Sequence, residues 1–170
     1  KIKEANNLSK TELAICLVKQ VPMDNILQKA TELGISKIIP IVSERTEVKE
    51  LNIDRAKKIV IEATEQSNQL VPPEITNVIK LKDFLKTFDE TSKLLFADVN
   101  SKNNLRSVDL KDFDSLCILI GPEGDFTSPE RQSILSVSNV APFTMSNNIL
   151  RTDTAVISAI SLVNFINNLP

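Results

Sequence analysis

Apolar residues recur along this 170-residue chain in two rhythms. Short continuous runs of Ile, Leu and Val at residues 13–18, 37–42, 93–97, 116–120 and 140–144 predict strands buried on both faces. Between them, apolar positions spaced three and four apart predict helices at 23–33, 52–69, 81–87, 128–136 and 152–165. In the first helix Ile26, Leu27, Ala30 and Leu33 follow Pro22, a residue suited to a first turn, and Gly34 supplies the stop. Val71-Pro72-Pro73 ends the second, because proline lacks an amide hydrogen and restricts the residue before it. No repeat or low-complexity linker interrupts the alternation. The pattern predicts one α/β domain with a mostly parallel sheet flanked by helices, whose ligands bind beyond the carboxyl ends of the strands.

Composition narrows the chemistry. At 42% hydrophobic and 25% charged residues, the chain carries enough apolar material for one core. Its longest apolar runs fall far short of the roughly 20 residues of a membrane-spanning helix, so a soluble protein with no membrane partner is expected. Cys16 and Cys117 sit in predicted strands without a second cysteine nearby, as buried thiols of a reducing cytoplasm do. Histidine is absent, which excludes imidazole catalysis and the usual zinc ligand sets. Twenty basic against 22 acidic residues give a net charge of −2, which is not the footprint of a self-sufficient nucleic-acid binder. The start at Lys1 without methionine or signal peptide suggests a piece of a longer protein.

Two segments concentrate unusual residues. Two of only three glycines fall in Ile120-Gly121-Pro122-Glu123-Gly124-Asp125-Phe126, directly after the strongest strand. A tight turn is expected there, with glycine supplying unusual dihedrals and close ligand approach; a plain strand-to-helix turn fits equally. Thr127 or Ser128 should cap the following helix, with Pro129 and Glu130 in its first turn. The glycine count of a dinucleotide fingerprint and the Gly-Lys-Ser/Thr of a phosphate loop are lacking. The second segment, Met145-Ser146-Asn147-Asn148-Ile149-Leu150-Arg151-Thr152-Asp153-Thr154-Ala155, joins the last strand to the last helix. Thr152 is a plausible cap and Asp153 suits the positive helix end, but neither accounts for Arg151.

Together with Lys29-Ala30-Thr31-Glu32-Leu33-Gly34, Ser43-Glu44-Arg45-Thr46 and Glu62-Ala63-Thr64-Glu65-Gln66-Ser67, these segments make the chain resemble the 16S ribosomal RNA (uracil-N3)-methyltransferase family of the SPOUT superfamily. The resemblance covers nearly the whole chain, with its motifs in order. It implies a C-terminal trefoil knot, an exception to the rule against knotting, and a homodimer with the pocket close to its interface. It implies S-adenosyl-L-methionine as cofactor, 16S rRNA or the small ribosomal subunit as partner, and a cytoplasmic place of work. It also implies a small β-barrel (PUA-like) RNA-binding domain ahead of this catalytic domain, absent from residues 1–170.

The cofactor would lie against Phe96 and Ala97 in the loop that runs to Asp98, against Ile120, Gly121, Pro122, Glu123 and Gly124, and against Met145, Ser146, Asn148, Ile149 and Leu150. Methyl transfer from a sulfonium is an in-line displacement that needs alignment and water exclusion rather than a metal. Uracil N3 carries a proton near neutral pH, which makes Glu123 the candidate base; capping or bracing its own turn is the alternative role. Arg151 would offset negative charge on the base or hold a phosphate. Arg45 could do likewise or form a surface pair, and Glu62 and Gln66 share a helix face that lines an RNA cleft or is merely solvated. The chain departs from the family pattern at Asp125, where a second glycine is usual, at Ser146 and Asn148, where Gly and often Arg occur, and at Asp153 in place of Glu. Two other readings stand beside this one: a knotted methyltransferase acting on transfer RNA, and a non-catalytic dimerising RNA-binding or assembly module.

Overall fold

The computed structural model describes residues 10–167; Lys1, from which a fragmentary start is read, lies outside them. Among the described residues seven strands form one sheet: β1 (Lys10–Cys16), β2 (Lys37–Val42), β3 (Glu74–Ile75), β4 (Ile79–Lys80), β5 (Ser92–Ala97), β6 (Ser115–Ile120) and β7 (Val140–Phe143). Their order is β3-β2-β1-β6-β5-β7, with β4 also against β2, and every pairing is parallel. Five helices, α1 (Gln20–Glu32), α2 (Ile53–Gln66), α3 (Leu81–Lys86), α4 (Ser128–Leu135) and α5 (Thr152–Asn167), connect and cover the strands, with a short 3-10 turn at Leu105–Ser107.

Strand side chains alternate between two cores. Leu13, Ile15, Leu95, Ile118 and Ile120 pack with Met23, Ile26 and Leu27 of α1, Val60 of α2 and Val156, Ile160 and Val163 of α5. Ala14, Cys16, Leu94, Phe96, Cys117 and Leu119 face Phe84 of α3 and Ile134 of α4. Both faces are therefore covered, as the continuous apolar strands predicted. Each fully buried Ile or Leu contributes roughly 1.5–3 kcal/mol relative to exposure. Among the described residues no helix is long and apolar enough to cross a membrane.

Most element edges follow from local chemistry. Gly34 (φ +86°) ends α1 in a Schellman arrangement, with Gly34 N donating to Thr31 O (3.0 Å) and Ile35 N to Ala30 O (3.1 Å). The helix starts at Gln20 rather than Met23, and Pro22 is its third residue, still within the first turn where its missing amide hydrogen is not needed. Asn52 caps α2, its side chain accepting from Arg55 N at 3.0 Å. That helix stops at Gln66 rather than 69: Asn68 turns left-handed (φ +54°) and Gln69 N bonds back to Thr64 O (3.1 Å), before the prolines are reached. β1 begins at Lys10 rather than Leu13 because its polar end still pairs with Ser115 and Leu116 of β6. The two-residue strands β3 and β4, which no hydrophobic run announces, extend the outer edge of β2.

Both cysteines are buried and free, Cys16 with its Sγ 3.7 Å from Ser43 Oγ. Burial pushes the Cys16 thiol up to about 12 and the Cys117 thiol higher still. Below those values both stay protonated, and a protonated thiol is a poor nucleophile. The native chain should therefore leave a disulfide reagent unreacted at pH 8 and consume two equivalents after unfolding; rapid labelling of the folded protein would contradict this burial.

Candidate active site

The connections leaving β5, β6 and β7 converge at the carboxyl end of the sheet, where those strands are neighbours in the order β6-β5-β7. They enclose a cleft of about 460 Å³. Asp98 and Val99 follow β5, Gly121 to Asp125 follow β6, and Thr144 to Arg151 lead from β7 into α5, whose Thr152 and Ala155 complete the wall. Ile120, Phe143, Met145, Leu150 and Ala155 give it an apolar lining. The volume falls within the roughly 300–1,000 Å³ of small-molecule sites.

The turn after β6 is built differently from its expected form. Neither Gly121 nor Gly124 is left-handed; the left-handed residue is Asp125 (φ +61°), the position expected to depart from glycine. Aspartate tolerates this region by bonding locally. Its Oδ1 accepts from Phe126 N (2.8 Å), and Asp125 N donates to Pro122 O (2.9 Å). Gly121 is required by space instead: a Cβ there would lie 2.9 Å from the Phe126 ring. That ring packs on Phe96 at a centroid distance of 5.8 Å. Phe96, expected against the cofactor, is 1% exposed and faces the α3/α4 core; Ala97 reaches the cleft instead.

The Ser43–Thr46 segment braces this turn. Glu44 N donates to Glu130 Oε1 (2.8 Å), and Arg45 Nη1 donates to Gly124 O (3.0 Å). Glu130 also closes a capping box with Thr127, its Oε2 accepting from Thr127 N at 3.0 Å. Arg45 thus stands on the outside of the turn rather than in the cleft. Glu62 and Gln66 lie exposed on α2, outside the cleft.

On the third wall Ser146 is not left-handed. Its Oγ accepts from Asn148 N (3.0 Å) and Thr144 Oγ1 donates to its carbonyl (3.3 Å), so the side chain is used in the local turn. Thr152 is not the cap of α5. Ala155 N donates to Arg151 O (2.8 Å), which puts Arg151 at the N-cap and Thr152 as the first helical residue, 6% exposed. An arginine side chain cannot accept from the first-turn amides, and Arg151 reaches outward, 78% exposed, with Nε 3.8 Å from Asp153 Oδ1. Glu123 is also exposed, and among the described residues its carboxylate takes no hydrogen bond.

The cleft thus brings together Glu123, Arg151 and every residue expected against the cofactor except Phe96. Sequence reasoning placed Asp98 in a cofactor loop but missed its burial and its partner, Arg131. Asp98 is buried, and its Oδ2 accepts from Nε (3.1 Å) and Nη2 (2.7 Å) of Arg131 on α4, which raises the guanidinium pKa further. The two lie 33 residues apart, and no spacing rule joins them. Among the described residues no cluster of His, Cys, Asp or Glu could hold a metal. Gly121→Ala should lower unfolding stability by about 1–3 kcal/mol through overpacking, and Phe126→Leu in the same chain should restore most of it. Urea denaturation checks this; an unaffected Gly121→Ala would contradict the steric reading.

The RNA methyltransferase domain family matches residues 4–164. A ribosomal RNA small subunit methyltransferase E of Rickettsia conorii is 36% identical over 165 residues, covering 95% of this chain and 67% of the relative. Among solved structures, the ribosomal RNA small subunit methyltransferase E of Neisseria gonorrhoeae bound to S-adenosyl methionine superposes with a TM-score of 0.87 at 28% identity, over 93% of this chain and 66% of that one. A Legionella pneumophila methyltransferase in complex with bound SAM gives 0.82 at 30% identity, again over 93% and 66%. The chain thus spans about two thirds of the length of these relatives. With the match running through all three walls of the cleft, this chain belongs to the RNA methyltransferase domain family.

Proposed function

We propose that this chain is the catalytic domain of an S-adenosylmethionine-dependent methyltransferase that methylates N3 of a uridine in 16S ribosomal RNA, working in the cytoplasm as a homodimer. The observation that carries the reading is the three-walled cleft at the carboxyl ends of β5, β6 and β7, in a chain similar to enzymes solved with that cofactor. The lining fits the group: Ile120, Met145, Leu150 and Ala155 offer apolar surface to an adenine ring, and the turns at 121–125 and 144–150 offer backbone groups. A PUA-like domain ahead of this one would supply the RNA affinity that a net charge of −2 does not. The threading of the C-terminal segment into a knot belongs to the same proposal, supported by the packing of α5 against both β6 and the 3-10 turn in the β5–β6 connection.

When bound, the cofactor supplies an electrophilic methyl group on a sulfonium. The chain's own residues must seat the uracil in line with that methyl and keep water out. Glu123, exposed at the cleft with no competing hydrogen bond among the described residues, accepts the N3 proton. Arg151, held at the mouth of the cleft by its N-cap backbone, lends permanent positive charge to the anionic base or a neighbouring phosphate. Ser146 supports catalysis over a vestigial module, because its side chain is absorbed in the Thr144–Asn148 turn instead of blocking the cleft.

The test is methyl transfer to small ribosomal subunits lacking the modification, with the product nucleoside identified by mass spectrometry. Glu123→Gln should slow single-turnover methylation about 10²-fold or more at saturating cofactor, with cofactor affinity unchanged. Arg151→Ala should reduce methylation more than cofactor binding. Full-rate methylation by Glu123→Gln would remove it as the base, and methylation at a position other than uracil N3 would overturn the substrate reading.

A further inference from the structure

Four charged residues line the cleft, and three of them, Glu123, Asp125 and Arg151, are exposed; Asp98 is buried, at 4%. A carboxylate removed from water this far needs compensating partners, and Asp98 finds them on α4 and in its own turn, while its backbone amide bonds to β7. Its Oδ2 takes two bonds from Arg131 on α4, the helix that follows the Gly121–Asp125 turn. Its amide donates to Phe143 O at the end of β7 (2.9 Å), and within its own turn Oδ1 accepts from Asn100 N and its carbonyl from Ser101 N, both 3.0 Å. The same turn reaches β7 twice more, through Thr144 N to Asn103 O (2.8 Å) and Ser101 Oγ to Pro142 O (3.3 Å). Arg131 directly follows Glu130, whose carboxylate anchors Glu44 and the capping box.

We propose that Asp98 and Arg131 form a positioning pair that sets the separation of the three walls and so preorganises the cleft for its ligand. Neither residue need touch reacting atoms. An ion pair serving stability alone would loosen the whole sheet when broken. A positioning pair loosens the cleft walls selectively, and ligand affinity falls because ordering them must then accompany binding. The inference rests on the cofactor reading of the cleft for its ligand, and its structural part can be tested without one.

Asp98→Asn, Arg131→Gln, their double variant and Arg131→Lys are compared with the parent chain. In cofactor-free protein, amide exchange at Ser101 and Thr144 should rise about tenfold or more in Asp98→Asn and Arg131→Gln, while β1 amides stay near parental rates. The dissociation constant for S-adenosylmethionine should rise about tenfold in each single variant, and no further in the double, because the two residues act as one unit. Arg131→Lys, which keeps the charge but loses the fork, should fall between. Unchanged exchange at Ser101 and Thr144 would overturn the pair, as would a rise shared equally by β1. Failure of the parent chain to bind S-adenosylmethionine would count against the cofactor reading instead, and the exchange pattern would still decide the pair.

Discussion

Parallel strands impose the constraint from which the rest of this molecule follows. Each must be re-entered from the same end, so every connection leaving a strand starts at one end of the sheet, and the crossovers must be long enough to return. Here β6 inserts between β1 and β5, and β7 adds outside β5, which brings the exits of β6, β5 and β7 side by side. The cleft is the space those exits leave beneath the start of α5. A changed strand order would scatter the same residues.

Within the cleft, the bonded residues and those proposed for the chemistry are different ones. Buried or braced groups fix the backbone: Asp98 with Arg131, Glu130 across Glu44 and Thr127, Arg45 on the Gly124 carbonyl. Glu123 and Arg151, which have no structural bonds of comparable strength, stand exposed where a substrate can reach them. Such a division would suit the proposed methyl transfer, whose main demand is alignment, since a held backbone leaves the side chains proposed to react free to meet a large substrate.

The sequence carried the architecture well because the signals are local. Continuous apolar runs mark strands covered on both faces, and Gly34 and Thr127 mark helix ends through bonds within a few residues. Short range also explains the misses. Two-residue strands such as β3 and β4 have no periodicity to read, and the Arg151 N-cap is invisible beside a better capping residue, Thr152. The Gly121–Gly124 turn was legible as a turn, but its left-handed residue is Asp125, and Gly121 is set by a ring five residues later. Long-range polar pairing, of which Asp98 and Arg131 are the case, leaves no trace in spacing and needs the fold.

The cofactor is proposed to bind where β5, β6 and β7 end. The chain offers a rival in a second cavity of about 530 Å³, lined by Glu12, Phe84, Phe88, Ser92 and Ser115 near the amino ends of the strands. Backbone amide resonances followed through a titration with S-adenosylmethionine separate the two. The account predicts saturable shifts at Asp98, Gly121, Glu123, Gly124 and Thr144 to Leu150, with Glu12, Phe88 and Ser115 unmoved. Shifts confined to the second cavity, or none at either in a folded chain, would contradict it.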